Sequence, residues 1–194
     1  VPDDDAAGGQ DADQAHAQGV LGAADLGAGG EQARGCVTDL GETLRQTPLG
    51  TALTGDTTRY TGPARSIGYR WFTDPATREL YAPADHAFLS RMFASGLREM
   101  TALRGPGSRA AHYAELLRTR SEEFRDLWDT QEVGVRPHSV KRFLHPEVGA
   151  LELNCRTLLD PDPSHRLLVY TAALGSESHD KLRLLAVIGP HALS

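Results

Sequence analysis

The 194-residue chain is short of several things, and each shortage removes a class of function. It has only two cysteines, Cys36 and Cys155. That is too few for a disulfide-stapled secreted scaffold, and neither sits in a C-x-x-C pair. Both fall in strand-like segments and read as small buried hydrophobes in a reducing cytosol; a bridge between them requires that their strands be neighbours. No apolar run is long enough to span a bilayer, and the start has no signal-peptide pattern, so a cytoplasmic protein without membrane contact is expected. Cations are outnumbered, with 20 Lys and Arg against 26 Asp and Glu and a net charge of −6. Tight nucleic-acid binding needs clustered cations and is not expected of these residues alone. There is no G-x-S-x-G elbow, no phosphate-binding glycine loop and no H-E-x-x-H pair. His138, His145, His165, His179 and His191 are scattered without metal-ligand spacing, so neither a metal site nor an enzyme is expected.

What is present suffices for a core, since 40% of the residues are hydrophobic. The organising stretch is 141–155, read as two antiparallel strands around a tight turn. Pro146 and Gly149 bracket the reversal. From Leu151 the chain alternates, with Leu151, Leu153, Cys155, Thr157 and Leu159 on one side and Glu152, Asn154, Arg156 and Leu158 on the other. A third strand over 166–172 is apolar on both sides, as in a strand covered twice. Upstream, residues 36–40 and 43–47 read as a hairpin turning at Gly41 and Glu42, and Pro48 opens a short helix ended by Gly55.

Between the hairpin and the later strands the pattern is helical. A helix is expected over 64–72, and Asp74 and Pro75 restart another. The most regular segment runs from Asp85, where Phe88, Leu89, Met92, Phe93, Leu97, Met100 and Leu103 recur at three- and four-residue steps. Gly105-Pro106-Gly107 stops it. Ser108 opens a helix with Tyr113, Leu116 and Leu117 inward, and Ser121 caps one with Phe124, Leu127 and Trp128 on one face. Gly175-Ser176 signals the last helix, carrying Leu182, Leu185 and Ile188. The expected fold class is α+β, an antiparallel sheet covered by helices. Residues 1–34, rich in Ala, Gly, Asp and Gln, read as a flexible linker with at most a weak helix over 14–28, and 35–194 as the folded domain.

Several segments, taken in order, resemble one family. They are Cys36-Val37-Thr38-Asp39-Leu40-Gly41-Glu42-Thr43, Tyr69-Arg70-Trp71-Phe72-Thr73-Asp74-Pro75, Ser121-Glu122-Glu123-Phe124-Arg125-Asp126-Leu127-Trp128, Lys141-Arg142-Phe143-Leu144-His145-Pro146-Glu147-Val148-Gly149 and Arg166-Leu167-Leu168-Val169-Tyr170-Thr171-Ala172. Together, over 35–189, they resemble the ligand-binding domain of the MmyB-like transcription regulators of bacteria. The resemblance implies a PAS-like fold and a pocket for a fatty-acid-like ligand. It also implies DNA binding through an Xre-type helix-turn-helix N-terminal to the sensor. Nothing before Gly35 can form that unit, so DNA contact is expected through a domain outside these residues, with homodimers reading two half-sites.

A fatty-acid site needs an apolar slot and a cation or donors for the carboxylate. The slot is expected between the sheet and the helix over 85–103, walled by Phe88, Met92, Phe93, Phe143, Leu151, Leu153 and Val169. Arg70, Arg142 and His145 are the candidates for the head group, with Tyr69 and Tyr170 as further donors. No cofactor is expected beyond a bound fatty acid. Alternatives stay open for each. The apolar residues also suit a plain core, Arg70 an ion pair with Asp74 or Glu79, and His145 the closure of a turn. The domain as a whole could instead be a dimerisation platform with a filled interior.

Overall fold

The computed structural model describes residues 32–159 and 165–189. The expected flexible lead-in and the weak helix over 14–28 lie outside the described residues. Among the described residues, five strands form one antiparallel sheet in the order β2-β1-β5-β4-β3. They are β1 (Ala33–Thr38), β2 (Thr43–Gln46), β3 (Val140–His145), β4 (Gly149–Leu159) and β5 (His165–Thr171). Among the same residues seven α-helices accompany them: α1 (Pro48–Thr54), α2 (Ile67–Thr73), α3 (Ala76–Glu79), α4 (His86–Arg104), α5 (Arg109–Arg120), α6 (Glu122–Asp129) and α7 (Glu177–Ile188). The fold is α+β and PAS-like: a hairpin, a helical excursion from α1 to α6, then three more strands.

The expected hairpin over 141–155 is β3 and β4, paired from Val140 with Asn154 to His145 with Gly149. Gly149 closes the turn at φ +73°, a conformation in which a side chain is strained. Because side chains alternate, one face of the sheet collects Phe143, Leu151, Leu153, Tyr170, Leu168, Gly35 and Val37 across four strands. Phe143, Leu151 and Leu153 are fully buried on it, with Trp71, Leu53, Leu182 and Leu185 in the same core.

The first strand includes Ala33, which pairs with Tyr170. The expectations that need correction concern one helix and four side chains. The helix over 64–72 is broken. Gly62–Arg65 is a 3-10 turn, Ser66 is extended, and α2 starts at Ile67. The Ser66 Oγ accepts from Tyr69 N at 3.3 Å, satisfying a donor that a continuous helix would have used internally. Thr157 and Leu159 are exposed, not buried, because β4 outruns the six-residue β3 and its tail pairs only with β5. Leu103 and Ile188 likewise fall on open surface at helix ends. The reading of Cys36 and Cys155 as unbridged holds: β5 separates their strands and the two side chains lie on opposite faces of the sheet.

Two polar clamps fix the helices, one to each other and one to the β1–β2 turn. Trp71 Nε1 donates to Ser90 Oγ at 2.8 Å, and Ser90 Oγ donates to Glu123 at 2.5 Å, which ties α2 to α4 and α6. At the β1–β2 turn the buried Glu42 carboxylate accepts from Tyr113 Oη at 2.5 Å, from Thr38 Oγ1 at 3.3 Å and from Arg109, which ties the turn to α5.

Candidate functional site

A cavity of about 270 Å³ lies between the sheet and the chain from residue 54 to 81. Val37, Leu168 and Tyr170 line it from β1 and β5, and Thr43 and Gln46 from β2. Ile67, Arg70, Leu80 and Tyr81 face them from the helical side. Ile67, Arg70 and Asp74 reach it together because steps of three and four residues share one helix face. The break at Ser66 allows this. It turns α2 toward the sheet, and its Oγ donates to Leu40 O at 2.7 Å.

Most polar groups around the cavity are satisfied by one another. Gln46 Nε2 donates to Thr54 Oγ1 at 2.9 Å and to Gly55 O at 3.0 Å, while its Oε1 accepts from Thr57 N at 2.9 Å. Thr57 Oγ1 donates to Thr43 Oγ1 at 2.9 Å. The Asp74 carboxylate accepts from Ala76 N at 3.1 Å and Thr77 Oγ1 at 3.3 Å. What remains toward the interior is largely apolar, and spent polar groups of this kind attract no further polar partner.

Arg70 differs. Only 4% of it is exposed, yet it pairs with no carboxylate among the described residues. Its Nη1 donates to the carbonyls of Ala64 and, at 3.1 Å, Arg65, and its guanidinium stacks on Tyr60 at 4.2 Å. Nε and Nη2 have no hydrogen-bond partner among the described residues. Burial pulls its pKa down from the ordinary arginine range, but a guanidinium stays protonated. The cavity wall therefore holds a largely buried guanidinium whose Nε and Nη2 are left to donate to an anion. The alternative ion pair with Asp74 or Glu79 is not formed among the described residues; the Asp74 carboxylate is turned to its own helix start.

The remaining candidates are spread over several environments. Tyr170 joins Arg70 on the wall, and burial pushes its phenol well above 10. Tyr69 points away, its ring 6.0 Å from Tyr113 and its Oη accepting from Arg120 at 2.5 Å. Arg142 lies on the other face of β3, exposed and paired with Asp85. His145 is buried in the β3–β4 turn, where Nε2 bonds Ala52 O at 2.9 Å and Nδ1 accepts from Glu147 N. The proposed apolar wall does not border the cavity. Phe143, Leu151 and Leu153 fill the core beside it. Phe88 stacks on His138 at 3.7 Å, and Met92 and Phe93 pack half-buried against the core. Val169 points to the opposite side of β5 from Leu168 and Tyr170.

The residues that do border it went unnoticed because their signal is weak. Val37 and Thr43 sit in short strands, and Leu80 follows a one-turn helix. The spacing of Ile67, Arg70 and Asp74 was readable once α2 is started at Ser66. Among the described residues no group of three or more His, Cys, Asp or Glu converges as a metal site would. No helix among them is long and apolar enough to cross a membrane.

No curated protein matches the chain. One family does, over residues 36–185, a span that takes in all five strands in whole or part, the cavity and the cation on its wall. The match covers most of the chain, and with the PAS-like sheet it places this protein in the MmyB-like transcription regulator ligand binding domain family.

Proposed function

We propose that this ligand-binding domain senses a fatty-acid-like carboxylate, with the head group at Arg70 and the tail against Val37, Ile67, Leu80 and Leu168. The observation that carries the reading is the buried guanidinium facing the cavity without a carboxylate partner. A carboxylate there gains charge-assisted hydrogen bonds worth about 1.5–3 kcal/mol each, and each buried methylene adds about 0.8 kcal/mol before immobilisation costs. Tyr170 lines the same cavity, with its hydroxyl bonded to the Cys155 thiol. Binding then acts by favouring one of the domain's conformations over another.

In this reading the domain works in the cytoplasm as part of a homodimeric regulator. A helix-turn-helix outside these residues contacts DNA. The family is one of regulator domains, not of enzymes. The competing reading, a dimerisation platform with a filled interior, fits poorly with a cavity of about 270 Å³.

The test is direct. Organic extraction of the purified protein should release an acyl species, and added fatty acid should raise the melting temperature. A ligand at a hundred times its Kd stabilises by about 2.7 kcal/mol. Arg70→Ala should weaken carboxylates about tenfold or more and leave the matching alcohols nearly unchanged. Equal losses for acid and alcohol would remove the head-group assignment.

A further inference from the structure

We infer that the outer face of the sheet, the one turned away from the cavity, is a docking surface for the acidic residues 1–31 of the same chain. The inference is independent of the ligand reading above.

Strand register defines the patch. Arg34 on β1, Val169 on β5 and Arg156 on β4 stand directly opposite one another. Cys36, Leu167 and Leu158 form the next row on that side, and Arg45 on β2 stands opposite Cys36. Three arginines thus surround an apolar centre, with Arg34 and Arg156 carried on backbones about 10 Å apart. The strand residues of the core, Ala33, Phe143, Leu151, Leu153 and Tyr170, all face the other way. Even so, the outer face is not uniformly open. Leu158 is 53% exposed, whereas Cys36 is 1% and His165 is 2% exposed. The closure over Cys36 and His165 does not come from the core.

Charge names the partner. Residues 1–31 hold seven acidic side chains, from Asp3 to Glu31, and no lysine or arginine. Taking these seven from the net charge of −6 leaves residues 32–194 at +1, so the acidity of the chain is concentrated in this segment. The patch has the opposite sign. Arg34 donates to Gln32 Oε1 at 2.8 Å, and neither Arg45 nor Arg156 is in an ion pair among the described residues. Among the described strands Glu152 alone is acidic, and it stands opposite Arg142. Val20, Leu21 and Leu26 give the segment apolar side chains for the Leu158, Leu167 and Val169 centre.

Connectivity makes weak contacts sufficient. The segment leads straight through Gln32 into β1, which carries part of the patch. Docking is then intramolecular, with an effective concentration on the order of millimolar, although each exposed charge pair is weak by itself. Reach is no obstacle, because five strands span about 20 Å and extended chain covers about 3.3 Å per residue. The strands β1 and β5 present Val37, Leu168 and Tyr170 to the cavity on one side and the docking patch on the other.

The test is hydrogen exchange read by mass spectrometry on the full purified chain, with a free peptide of residues 14–31 as the reference. Amides in 14–31 should exchange at least about tenfold more slowly in the chain than in the peptide. Exchange at the peptide rate overturns the inference. The protection should be the same at about 5 and about 200 μM protein, since mass action does not enter. Protection that rises with concentration assigns the patch to a second copy and overturns it. Arg45→Glu together with Arg156→Glu should bring exchange to within about threefold of the peptide, with β4 and β5 amides still protected. Undiminished protection of 14–31 in that variant overturns the arginine contact. If the variant does not fold, the wild-type chain in 1 M potassium chloride decides. Screening within about 3 Å should release the segment there, and a segment that stays protected overturns the charge argument.

Discussion

At the scale of single residues, two buried ionisable groups carry opposite kinds of consequence. Glu42 is fully satisfied by Arg109, Tyr113 and Thr38, so it is a fastening. Glu42→Ala strands the Tyr113 hydroxyl and the Thr38 hydroxyl and should cost about 3 kcal/mol in urea denaturation. Glu42→Gln, which keeps an acceptor, should cost less. A loss under about 1 kcal/mol for the alanine variant would show that the clamp is idle. Tyr81 speaks through pH. Burial pushes its phenol from 10.0 up to about 12, and Tyr113 shifts to about 12 as well, chiefly by burial and then by Glu42. Below pH 10 both states hold the proton and the groups contribute nothing to the pH slope. Above it the unfolded chain releases protons that the folded chain retains, so stability falls between about pH 10 and about pH 12. Tyr81 accounts for up to about 3 kcal/mol of that fall, and the less enclosed Tyr113 for less. Tyr81→Phe should flatten the alkaline limb of a stability–pH curve. An unaltered limb would mean that the Tyr81 hydroxyl is reached by solvent.

At the scale of elements, backbone approach decides what is tolerated. A Cβ on Gly50 would stand 2.4 Å from Arg34 O, where α1 crosses the start of β1. Gly50→Ala should therefore cost about 3 kcal/mol by thermal or chemical denaturation. A Cβ on Gly68 meets only the Phe93 ring at 3.4 Å. Gly68→Ala should be neutral or stabilising by up to about 1 kcal/mol, since it sits inside α2. Equal effects at the two positions would contradict this geometry. Elements were also where the sequence was most legible. Alternation from Leu151, the Ser caps before α5, α6 and α7, and the stripe along α4 all report forces acting within a few residues. What was not legible depends on distant partners. Nothing local announces that β4 outruns β3, or that Ser66 breaks the helix by reaching Leu40 O. The site follows the same division. Arg70 and Tyr170 line the cavity, whereas Val169 lies on the far face of β5 and Phe143 packs against Tyr81 in the core beside it.

At the scale of the whole molecule, the sheet and the helical excursion make a partly open cavity with the largely buried Arg70 on its wall, beside Arg34 and Arg59. That placement has a consequence for ionic strength. Mobile ions screen over about 10 Å at 0.1 M salt and about 3 Å at 1 M, but only where they can go. Arg70 is 4% exposed, whereas the Arg142 side chain, on the outer surface, is 51% exposed. A carboxylate held at Arg70 should keep its affinity within about twofold from 0.05 to 1 M potassium chloride, while one held by surface arginines would lose most of it. A steep salt dependence in titrations with octanoate would move the anion out of the cavity. A flat one would mean that the protein holds such an anion equally well in dilute and in concentrated salt.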